Sequence, residues 1–162
     1  MSNETLESRL QRFEDERALE KLINTYHKRA DAFDWGRWAE TFTEDAVFEF
    51  AGGFGVMRGR QDIHDKCKGS MDHVYNVMQH IMVNLDFEVA GSRATGTGNL
   101  IFVGISDPQK PTEFYMSGGR YRWVFARTKD GWKIAEAFLE FIWTNGADAE
   151  AVFVPDDKKD AA

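Results

Sequence analysis

Four histidines, at 27, 64, 73 and 80, are the side chains of this 162-residue chain best suited to moving protons near neutral pH, because an imidazole ordinarily titrates there. His80 stands apart. It lies in Met78–Val89, which alternates with a period of two, so its ring shares one strand face with Met82, Asn84 and Asp86 while Ile81, Val83, Leu85 and Phe87 take the other. An imidazole in apolar surroundings, with one nitrogen bonded to a carboxylate, is fixed in a single tautomer. Its second nitrogen is then a proton acceptor, and the carboxylate stabilises the imidazolium that results. A core histidine with satisfied hydrogen bonds is the other reading of the same position.

Asp31 and Tyr26 come next. Asp31 falls near the edge of an apolar helical stripe, where a carboxylate needs a partner; that partner is either local backbone, Arg29 or Arg37, or a group from elsewhere in the fold. Tyr26 lies mid-stripe, so its ring is expected to be buried and its hydroxyl to bond a neighbouring backbone group or a substrate oxygen. Metal chemistry is not expected from His64-Asp65-Lys66-Cys67 or from the His27/Asp31 spacing, since neither supplies three convergent ligands. Cys67 is expected to be inert. Arg120 and Arg122 share a strand face and either clamp an acidic substrate or pair across strands with Glu136 or Glu140.

The elements that must position these groups follow from periodicity. Residues 4–33 contain neither Pro nor Gly, and Leu19, Leu22, Ile23, Tyr26, Ala30 and Phe33 recur every three or four positions, which predicts one long helix. Asp34 caps a short second helix carrying Trp35, Trp38 and Phe42, followed by a strand over 46–50 and a glycine turn at 52, 53 and 55. A third helix spans 60–68, with Gly69 as its stop. The remainder reads as strands over 78–89, 93–106, 114–127 and 132–144, joined by turns at Ala90-Gly91-Ser92 and Lys129-Asp130-Gly131 and by a Pro108/Pro111 loop. Helices followed by antiparallel strands give an α+β fold with the helices against one face of a bent sheet. Residues 1–145 form the domain, and 146–162 form a tail that is either loosely held or docked through Val152-Phe153-Val154.

Composition sets the outer limits. The chain is 43% hydrophobic and 14% aromatic, enough for one core, and carries a net charge of −7 with its cations scattered among acids. Nucleic acid is therefore not an expected partner. One cysteine allows no internal disulfide, and no apolar run reaches the length of a membrane span or has the form of a signal peptide, so a cytoplasmic protein without a membrane partner is expected.

The stretch ALEKLINTYHKRADAFDWGRWAETFTEDAVFEF, together with QHIMVNLDFEV, RATGTG and GGRYRWVFARTKDGWKI, resembles SnoaL-like proteins of the nuclear-transport-factor-2-like superfamily, over most of the chain. That resemblance implies a cone-shaped α+β barrel. Its dehydratase and dehydrochlorinase branch, which includes scytalone dehydratase and bile-acid 7α-dehydratase, uses a histidine on the sheet, an aspartate ending the first helix and often a tyrosine near it; His80, Asp31 and Tyr26 match these. Asn84, four residues after His80, fits the dehydrochlorinase pattern. Ketosteroid isomerases place a carboxylate base where this chain has Phe50, which cannot move protons. Strand parity and the resemblance together suggest a substrate lining of Trp35, Phe48, Phe50, Met82, Leu139, Phe141 and Trp143. The implied activity is a cofactor-free elimination on a small aromatic or alicyclic hydroxylated compound, with isomerisation or cyclisation by the same pair, or a non-catalytic association module, as alternatives. Apolar residues opposite His80 suggest a homo-oligomer, a trimer before a dimer.

Overall fold

The computed structural model describes residues 5–51 and 55–146. Helix α1 (Leu6–Asp31) starts at Thr5, whose hydroxyl accepts from the Ser8 amide, and buries Leu19, Ile23, Tyr26, His27 and Ala30 along one stripe. It ends at Asp31, two residues earlier than expected. The Phe33 amide bonds the Ala30 carbonyl and the Asp34 amide bonds the Arg29 carbonyl, with Phe33 at φ 55°. This is a Schellman closure with a phenylalanine in the left-handed position usually held by glycine, and it fixes where the Asp31 carboxylate leaves the helix.

Helix α2 (Trp35–Ala39) and strand β1 (Phe42–Ala51) follow, so Phe42 opens a strand and does not close a helix. Strand β2 (Gly55–Arg58), absent from the sequence reading, pairs antiparallel with β1, while the rest of the expected glycine turn, 52 and 53, lies outside the described residues. Helix α3 (Arg60–Met71) runs through Gly69 to Met71, because that turn is held by burial of Cys67 and Met71. Strands β3 (Val77–Ala90), β4 (Arg93–Ile105), β5 (Tyr115–Thr128) and β6 (Gly131–Asn145) form the expected antiparallel run. The six strands make one curved, open sheet in the order β2-β1-β6-β5-β4-β3, with only β1 and β6 parallel. The fold is α+β, a cone-like wrap of sheet around helices. The expected tail from 147 onward lies outside the described residues. Among the described residues no helix is long and apolar enough to cross a membrane.

Two bulges change which side chains face inward. In β3 the register slips between Val83 and Asp86, and Asn84 adopts φ 56°. His80 and Met82 therefore face inward before the bulge, and Leu85, Phe87 and Val89 face inward after it. Gly98 on β4 records the result, since a Cβ there would lie 2.8 Å from Leu85 Cδ2 and 3.1 Å from Met82 Cε. The expected opposition of Leu85 and Phe87 to the His80 face is corrected accordingly. In β6 the register slips where Gly119 pairs with Phe141 and Gly118 with Trp143. Leu139 and Phe141 point inward, whereas Trp143 is turned outward onto Gly118 and is 43% exposed.

Candidate active site

Where α1 ends against β3, two residues 49 positions apart in sequence meet. The Asp31 carboxylate accepts the His80 backbone N–H with both oxygens, at 3.1 Å each, and Oδ1 lies 2.5 Å from His80 Nδ1. One carboxylate thus holds both the strand and the ring. Among the described residues Asp31 bonds neither local backbone nor Arg29 nor Arg37, which instead pair with Asp34. With Nδ1 donating to Asp31, the neutral ring carries its lone pair on Nε2, which has no hydrogen-bond partner among the described residues.

His80 borders a partly open cavity of about 40 Å³ between the helices and the sheet. From α1 come Tyr26 and Ala30, from α2 Trp35 and Trp38, from β1 Phe48 and Phe50, and from α3 Cys67 and Met71. The sheet adds Met78, Leu100, Phe102, Ser117, Tyr121, Leu139 and Phe141. The lining is apolar except for a few groups. The Tyr26 and Tyr121 hydroxyls lie 3.2 Å apart, and burial pushes both phenols above their ordinary value of 10, so both remain protonated donors. Ser117 is wholly buried, and its Oγ has no partner among the described residues. Burial pushes the Cys67 thiol up to about 12, which leaves it a neutral wall.

Of the sequence-derived candidates, His80, Asp31, Tyr26, Trp35, Phe48, Phe50, Leu139 and Phe141 come together here. Trp35 is buried, its indole N–H donating to the Asp72 carboxylate, which also pairs with Lys68. Met82 packs over Gly98 outside the cavity, and the β6 bulge removes Trp143 from it. Arg120 and Arg122 lie on the outer face, Arg120 in register with Glu140 and Arg122 over the Phe138 ring, so neither is a substrate clamp. Among the described residues no three metal-ligating side chains converge. The sequence reading missed Tyr121 and Ser117. The signal was present, since both lie on the face of β5 opposite Arg120 and Arg122.

A comparison with curated proteins finds no match. Solved structures match closely in fold. A scytalone-dehydratase-like protein from Novosphingobium aromaticivorans superposes with a TM-score of 0.74 at 19% identity, over 86% of this chain and 91% of that one. The hexachlorocyclohexane dehydrochlorinase LinA-type3 from Novosphingobium barchaimii gives 0.75 at 19%, over 88% and 96%. An NTF2-like protein with a cystatin-like fold from Novosphingobium aromaticivorans gives 0.73 at 22%, over 93% and 98%. At these identities the likeness establishes the fold alone. The profile of the SnoaL-like domain matches residues 11–137, most of the chain, and this protein belongs to the SnoaL-like domain family.

Proposed function

We propose that the protein is a lyase that eliminates water, or a comparable leaving group, from a small aromatic or alicyclic compound, with His80 as general base. The observation that carries this reading is the Asp31–His80 Nδ1 contact at 2.5 Å, which leaves Nε2 as the acceptor at an apolar cavity. Nε2 takes a proton from carbon, the C–H pair becomes the new π bond, and the C–O bond breaks. Tyr26, paired with Tyr121, donates a hydrogen bond to the departing oxygen; because both phenols hold their protons, the imidazolium returns its proton to the leaving hydroxide as water. Asp31 stabilises the imidazolium throughout. The solved structures of a scytalone-dehydratase-like protein and a dehydrochlorinase on the same fold support a lyase-like or isomerase-like reading. The same pair serves isomerisation or cyclisation if the substrate has no leaving group.

The proposal extends to a cytoplasmic homo-oligomer that takes an apolar substrate and requires no cofactor. A panel of hydroxylated alicyclic and aromatic compounds, assayed with the native protein and His80→Ala, tests it. Turnover by the native protein and its loss in the variant is the expected result. A compound turned over equally by both would refute the role given to His80.

A further inference from the structure

His27 is a second imidazole in this region, buried, outside the cavity lining and unused by the mechanism above. Its ring stacks on that of His80, with centroids 5.2 Å apart and planes 29° from parallel. It is four residues before Asp31 on the same face of α1, so one helical turn presents a carboxylate to the edge of the His80 ring and an imidazole to its face. The rings of Tyr26 and Tyr121 stand steeply inclined to it, with centroids 4.7 and 5.9 Å away. Neither of its nitrogens has a hydrogen-bond partner among the described residues. An unbonded buried imidazole is costly, and a leucine would fill the space without that cost, so packing alone does not account for the residue type.

We infer that His27 is a positioning residue for His80: its uncharged ring backs the His80 imidazole and favours the imidazolium that His80 becomes on taking a proton. The inference rests on the reading of His80 as base. Burial pushes the His27 pKa well below 6.5, and a charge on His80 pushes it lower still, so His27 stays uncharged when His80 takes a proton. Around that proton, Asp31 and His27 face His80 from α1 and Phe102 faces it from β4, while Tyr26 and Tyr121 face His27. Among these groups Asp31 supplies the carboxyl at the edge of the His80 ring and His27 the π face. A cation within about 6 Å of an aromatic centroid is attracted to it, more strongly where water is excluded.

The test is an NMR titration of His80, its resonances assigned by their loss in His80→Gln, in the native protein and in His27→Leu, His27→Gln and His27→Phe. Leucine and glutamine remove the π face, and phenylalanine keeps it without a titratable nitrogen. The His80 midpoint is expected to fall by about one pH unit in the leucine and glutamine variants and to stay close to the native value in the phenylalanine variant. His27→Leu should also melt at a higher temperature than the native protein, because two unbonded nitrogens are gone; a residue needed only for packing would not produce higher stability together with a weaker base. An unchanged midpoint in the leucine and glutamine variants, or an equal fall in all three, would overturn the inference. The titration needs no substrate, so its failure is distinguishable from failure of the base assignment, which appears only in the turnover of His80→Ala.

Discussion

At the scale of single residues, the proposed base, His80, is distinct from the groups that hold it in place, Asp31 and His27. Removing a general base costs roughly 10²–10⁴-fold in rate, so His80→Ala is expected to lose that much in kcat. Tyr26→Phe should lose less, because Tyr121 still presents a hydroxyl at the same point of the cavity; a kcat ratio between the two variants checks this order. The sequence made His80 legible through strand alternation, and burial of Tyr26 followed from its place in the helical stripe. It did not make their meeting legible. Asp31 had two sets of plausible partners from local reasoning alone, and its assignment to His80 came from the resemblance, because a contact across 49 residues leaves no periodic trace. His27 shows the converse limit: its spacing to Asp31 is visible in the sequence, but not that its ring lies against another imidazole with no hydrogen-bond partner among the described residues.

At the scale of elements, the fold depends on how α1 is anchored at both ends of its contact with the sheet. Near the start, buried Asp15 accepts from Arg127 on β5 at 2.5 Å and from the Trp132 indole on β6 at 3.1 Å. Burial raises its pKa, but the bonds to Arg127, Trp132 and Gln11 outweigh that and hold the carboxyl below its ordinary 3.8. A depressed folded pKa contributes stability that is full above the unfolded value and is lost as pH falls through the folded value. Asp15→Asn is expected to destabilise the protein by roughly 1–3 kcal/mol at neutral pH, with the difference closing as pH drops below 3.8; denaturant melts at several pH values measure it. The bulge in β3 makes a second demand. Asn84 sits at φ 56°, where a β-branched residue costs about 1–2 kcal/mol, so Asn84→Val should lower stability by that amount and Asn84→Gly should not. This bulge and the one in β6 are also why inward-facing residues were misassigned from sequence. Alternation extrapolates an unbroken parity, and one extra residue reverses every side chain beyond it. The order of helices and strands survived because it rests on breaks and periods and does not depend on parity.

At the scale of the whole molecule, the sheet leaves apolar surface uncovered. Val77, Ile81 and Val83 on β3 are exposed and pair across the sheet with Ile105, Ile101 and Asn99 on β4, and Trp143 is exposed on β6. With Leu85 and Phe87 turned inward, this face is smaller than the sequence suggested, but it still suits association with a second copy of the chain. Light scattering is expected to give a homo-oligomer, and Ile81→Lys with Val83→Lys is expected to shift it toward monomer; a native protein that already runs as a monomer would reject this. The complete fold is also what brings a helix end and a sheet edge together at the cavity, and the central claim is that this meeting leaves His80 Nε2 bare. Nitrogen-15 NMR of the His80 ring at neutral pH measures that directly. The proton is predicted on Nδ1 with Nε2 unprotonated, and Asp31→Asn, whose amide can donate to Nδ1, is predicted to shift it to Nε2. A native ring protonated on Nε2 would contradict the account.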